Sequence, residues 1–134
     1  MFKPSSVIRI PTSLDSFFTN WLLFLRPFHG MTDRQISVAA QFLAARQELS
    51  RNITNEALLE ENVLSDTTKK KVNAACGVSY AFFQSLMGDL RRHHFIEDGK
   101  INPKYIPKID SSQDTFSLVV LFDIKKDDVR ADEV

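Results

Sequence analysis

The sequence predicts a mainly α fold with a small β wing: a single winged helix-turn-helix-like domain preceded by an extended N-terminal arm. Three observations carry that expectation. Apolar residues recur at helical spacing in five successive segments, each opened by a Ser or Thr able to cap a helix. The fourth segment ends at Gly77, and a tight turn leads into a fifth, strongly amphipathic one. Asp98-Gly99 then separates Phe95-Ile96 from Lys100-Ile101, the signature of a two-residue hairpin.

The elements follow in order. Residues 1–12 hold Pro4, Pro11 and the β-branched run Val7-Ile8-Arg9-Ile10, which suits an extended arm better than a helix. Ser13 caps a helix over 13–26, in which Leu14, Phe17, Phe18, Trp21, Leu22 and Leu25 recur until Pro27 ends the pattern. Thr32-Asp33-Arg34-Gln35 is a capping box for a second helix reaching about Ser50. Its apolar face holds Ile36, Phe42 and Leu43, and Arg34, Gln41, Arg46 and Glu48 face solvent. Thr54 opens a shorter segment with Leu58 and Leu59, and Ser65 opens another that closes at Cys76-Gly77. Ser79 caps the last helix, with Phe82, Leu86 and Leu90 on its stripe, as far as His93. After the hairpin, Asn102 to Pro107 is expected to be extended, and Phe116 to Ile124 to form a further strand. The domain is expected over 13–124, with a charged, flexible tail over 125–134. Its expected core is Ile36, Phe42, Leu43, Leu58, Leu59, Phe82, Leu86, Leu90, Phe95 and Ile96.

Composition narrows the functional classes. The 134 residues are 43% apolar and 25% charged, as in ordinary globular chains, and no apolar run is long enough to span a bilayer. No secretory signal is visible at the N-terminus, and the single cysteine cannot form an internal disulfide, so synthesis in the cytoplasm is expected. Seventeen cations balance seventeen anions, which weakens any reading based on non-specific attraction to nucleic acid. The balance is uneven along the chain, since seven cations face four anions over residues 65–104 and the end is acidic.

No catalytic constellation is visible. Cys76 lies in an Ala-Ala-Cys-Gly helix end with no histidine in a predictive relation to it, and is expected to be a small buried side chain. His93 and His94 diverge on a helix, His29 stands alone in a turn, and Glu60-Glu61 is expected on a solvated face. No cofactor, metal or small-molecule substrate is expected. On the last helix the leading half lacks Arg, Lys and Asn, so DNA contact, if made, falls to phosphates through Lys69, Lys70, Lys71, Arg91 and Arg92. The same lysines form a solvated face as readily, and Arg91 and Arg92 also complement the helix dipole. The expected protein interface is Val7, Ile8, Ile10, Phe17, Phe18, Trp21, Phe24 and Leu25, because the first helix is more apolar than one core contact can cover. A wide stripe buried in the chain's own core is the competing expectation.

Two blocks carry a resemblance: Phe17-Phe18-Thr19-Asn20-Trp21-Leu22-Leu23-Phe24-Leu25-Arg26-Pro27-Phe28-His29-Gly30-Met31-Thr32-Asp33-Arg34, and Phe83-Gln84-Ser85-Leu86-Met87-Gly88-Asp89-Leu90-Arg91 followed by Asp98-Gly99-Lys100-Ile101-Asn102-Pro103-Lys104. They are similar to a small protein of crAss-like tailed phages of gut Bacteroidales, over most of residues 8–124. The resemblance implies a virion component at the head-tail neck or connector, a structural protein of a ring, with other virion proteins and copies of itself as partners. It supplies no binding motif that can be carried over residue by residue. The alternative is a small winged-helix DNA-binding protein, either a regulator or a packaging factor.

Overall fold

The computed structural model describes residues 7–110 and 112–125. Six α-helices come first: α1 (Leu14–Phe24), α2 (Arg26–His29), α3 (Asp33–Leu49), α4 (Glu56–Val63), α5 (Asp66–Cys76) and α6 (Tyr80–Arg92). A two-stranded antiparallel hairpin of β1 (Ile96–Glu97) and β2 (Lys100–Ile101) follows, then one turn of 3-10 helix at Pro103–Tyr105. The chain is mainly helical with a small β element, as its sequence predicts.

Local chemistry explains most boundaries. Ser13 and Thr32 each form a reciprocal capping box, with Ser16 and Gln35 respectively, which satisfies otherwise orphaned amides of α1 and α3. Ser65 and Ser79 cap α5 and α6 without the reciprocal bond, their hydroxyls accepting the amides of Thr68 and Phe82 respectively. Gly30 and Gly77 end α2 and α5 at φ of 68° and 67°, a conformation that costs other residues about 1 kcal/mol or more.

The end of α6 departs from that rule. His94 stands at φ 62° where glycine is usual, the Phe95 amide donates to Leu90 O at 3.0 Å, and the His94 amide donates to Arg91 O at 3.1 Å. This is a Schellman closure, with buried Phe95 beside buried Leu90 as its apolar contact. It turns the chain directly into the hairpin, where Ile96 faces Ile101 and Glu97 faces Lys100. Asp98 and Gly99 both take positive φ, as a two-residue hairpin turn requires.

The core is built around α3, which packs on α1, α4, α5 and α6. Phe18, Leu22, Ile36, Phe42, Leu43, Phe83, Leu90 and Phe95 are among its buried members. Of the ten expected core residues, Leu58 and Phe82 are corrections. They are 49% and 41% exposed, and on α6 Phe83 is buried in place of Phe82, while Leu86 and Leu90 are buried as expected.

Five further expectations are corrected. Pro27 does not end helical structure, because α2 carries it in its first turn, where the missing N–H costs no hydrogen bond. Asn55, not Thr54, caps α4, its Oδ1 accepting the Leu58 amide at 3.0 Å. Asn102 to Pro107 is not extended throughout: Asn102 Oδ1 accepts the Lys104 amide at 3.0 Å and opens the 3-10 turn. Phe116 to Ile124 forms no strand, since the hairpin strands pair only with each other. Arg46 and Glu60 are not solvated either. They form a 3.0 Å ion pair between α3 and α4 with both side chains largely covered. Residues 1–6 of the arm and 126–134 of the tail lie outside the described residues.

Candidate functional site

The three histidines are held by contacts within the fold. His29 is buried, where its Nδ1 accepts the Met31 amide at 2.9 Å and its Nε2 donates to Leu22 O at 2.7 Å. His93 Nδ1 lies 2.9 Å from His29 O, and His94 lies 2.8 Å from Glu97. Cys76 is half-buried, and burial pushes its thiol pKa up, the reverse of what an activated thiolate nucleophile requires. Among the described residues no three His, Cys, Asp or Glu side chains are grouped to hold a metal. An open cleft of about 520 Å³ is lined by Phe28, Arg92, His93, Glu97, Lys104 and Tyr105, among others. No helix is long and apolar enough to cross a membrane among the described residues.

The surface is more informative. Val7, Ile8 and Ile10 are exposed in a segment outside helix and strand, with no backbone hydrogen bond to another part of the chain among the described residues. Thr12 fixes its root, since Thr12 Oγ1 lies 2.9 Å from Ser16 Oγ and accepts from Asn20 Nδ2 at 2.9 Å. On α1 the expected contact residues divide. Phe18 is buried in the core of its own chain and is removed from the contact set. Phe17, Trp21 and Leu25 are half-buried against that core, and Trp21 Nε1 donates to Tyr105 O at 2.9 Å. Phe24 alone of the α1 aromatics is mostly outward, at 51% exposure.

Three features escape the sequence reading. Leu14 and Leu23 add to the outer face of α1, Phe28 projects from α2 at 67% exposure, and Leu118, Val119, Val120, Leu121, Phe122 and Ile124 are all exposed. The signal for the last group was present as an apolar β-branched run, but it reads as a buried strand unless its partner is known to be missing. Its root is fixed, because the Phe116 ring meets Phe17 and Trp21 edge-on at 5.2 and 5.4 Å between centroids.

The basic residues lie on two helices. Lys70, Lys71, Arg91 and Arg92 are exposed and Lys69 is half-buried. Arg92 is drawn into an ion pair with Asp89, which also accepts from Gln35 Nε2 at 3.1 Å. The leading half of α6 presents Tyr80 and Phe82, with the Arg34 guanidinium 5.3 Å from the Phe82 ring centre. That face stacks and packs more readily than it reads base edges. No family model, characterised protein or solved structure matches the chain.

Proposed function

We propose that this chain is a structural assembly protein acting by protein-protein packing, a ring component of the neck of a tailed-phage particle, built on a winged-helix-like scaffold. One observation carries the packing role: apolar side chains that would ordinarily be buried stand exposed in the segments that precede and follow the helical core along the chain, Val7, Ile8 and Ile10 before it and Leu118 to Ile124 after it. Leu14, Phe24 and Phe28 add exposed apolar surface on α1 and α2. Soluble monomers rarely leave such surface uncovered, and a contact between subunits is its usual cover. The placement in a phage particle rests on the resemblance of the 17–34 and 83–104 blocks. Copies of itself and other virion proteins are the proposed partners, and no chemistry is assigned to the chain.

Light scattering on the size-fractionated full chain over a concentration series tests this. Reversible self-association, reduced when Phe24 and Phe28 are both changed to Ser, supports the reading. A chain that stays monomeric throughout overturns it.

A second reading has its own support. The order α5, Gly77 turn, α6, hairpin is that of a winged helix, and Lys70, Lys71 and Arg91 are exposed beside it. Adding duplex DNA to the same measurement decides between the two. Tight, sequence-selective complexes at physiological salt favour the DNA-binding reading, whereas weak binding that falls steeply with salt reports phosphate contacts alone.

A further inference from the structure

We infer that the arm of one copy pairs as a β-strand with the Leu121–Ile124 region of a second copy, with Arg9 facing Asp123. This rests on the assembly reading above and names the contact that would make it. The two segments share one pattern with opposite charge: Val7-Ile8-Arg9-Ile10 and Leu121-Phe122-Asp123-Ile124 are each apolar, apolar, charged, apolar. Because strand side chains alternate, setting Arg9 against Asp123 puts Ile8 and Ile10 on the same face as Phe122 and Ile124, whichever way the strands run. Opposite charges on facing positions favour the pairing, and like charges oppose it.

Both segments are ready for such a partner. Ile8 and Phe122 are each 87% exposed, and neither segment makes a backbone hydrogen bond elsewhere among the described residues. Their roots are close: the arm leaves α1 at Ser13, and Phe116 is held by Phe17, about 6 Å further along that helix by its rise per residue. Pairing within one copy would give a lone two-stranded ribbon, which is marginal in water. Reciprocal exchange between two copies brings two arms and two C-terminal segments together, enough strands to bury a common apolar face.

Charge reversal tests the contact in the full-length chain. Both sites are exposed in irregular backbone, so Arg9→Asp and Asp123→Arg should keep the wild-type circular dichroism and melting temperature. Each variant alone places like charges opposite one another and should self-associate about 5-fold more weakly or worse. An equimolar mixture restores both opposite-charge pairs, but only between different copies, and should return association to near the wild-type level. If the single variants associate like wild type, the strand exchange is overturned while the assembly reading stands. If the R9D/D123R double variant associates normally but the mixture does not, pairing is within one copy and the inference is overturned. A monomeric wild-type chain overturns both.

Discussion

His29 closes α1 onto α3: its Nε2 donates to the Leu22 carbonyl at 2.7 Å, while its Nδ1 accepts the Met31 amide at 2.9 Å. A carbonyl can only accept and a backbone amide can only donate, so the two contacts require a neutral ring with its proton on Nε2. Leu22 O is one of the last-turn carbonyls that α1 leaves without a helical partner. One side chain therefore satisfies a helix C-terminus and the approach to the next helix together.

The first prediction is a pH dependence. Burial, then the charge of Arg26 and of His93, hold the His29 pKa below its ordinary value of 6.5, against a raising contribution from the Leu22 hydrogen bond. Tyr105 meets the ring edge-on at 5.7 Å and contributes no counter-charge. The folded chain then binds fewer protons at this site than the unfolded chain, so stability rises with pH in this window. The full contribution is present above about pH 6.5 and is lost as pH falls below it toward the folded pKa. Denaturant melts across this range should show that slope, and His29→Gln, which cannot take up the proton, should flatten it. An unchanged slope in the variant would assign the effect to other groups.

The second prediction separates adjacent aromatics. Phe83 is buried against Phe42, with ring centroids 6.4 Å apart, whereas Phe82 lies at the surface under Arg34. Phe83→Ala should cost about 3 to 5 kcal/mol, and Phe82→Ala well under half of that. Comparable losses in the two melts would put the orientation of α6 in error.

These two residues also show what the sequence could and could not tell. The caps Ser13, Thr32, Ser65 and Ser79 were legible because a cap is a contact over three residues, decided locally. The choice between Phe82 and Phe83 was not, because neighbours on a helix differ by about 100° and only the packing on α3 says which points inward. The 116–124 run fails for a related reason: β-propensity states that a segment fits a sheet, and only the rest of the fold states whether a sheet edge is there. In the sequence His29 reads as a lone turn residue. Its place just after the end of α1 was the available signal, since that is where unpaired carbonyls collect.

A third prediction concerns Arg46 and Glu60, both mostly covered, with Arg46 Nε and Nη2 donating to Glu60 Oε2 at 3.3 and 3.0 Å. Removing either partner strands the other in a largely dry contact between α3 and α4. Arg46→Ala or Glu60→Ala should each cost about 1.5 to 3 kcal/mol, typical of a charged hydrogen bond that is lost without replacement. The double variant should cost less than the sum of the two single variants. Strict additivity in that cycle would show that the pair contributes nothing as a pair.

The last prediction distinguishes the two roles of α1. Trp21 donates to Tyr105 O at 2.9 Å and packs edge-on against Phe116, so it ties α1 to the segment after the hairpin and belongs to the fold. Phe24 lies on the same helix but points outward, where it helps no internal contact that would justify its exposure. Trp21→Ala should therefore lower the melting temperature, at a cost of about 3 kcal/mol if the half-buried ring behaves like a core aromatic. Phe24→Ser should leave the melt within about 0.5 kcal/mol of wild type and act on self-association instead. Measuring both properties on both variants crosses the two roles. If Trp21→Ala kept its stability and lost only association, the indole would face a partner, and the helix would be turned relative to its own core. If Phe24→Ser lost stability and kept association, the outer face of α1 would be covered from within the chain, and the contact between copies would have to lie in the arm and the C-terminal segment alone.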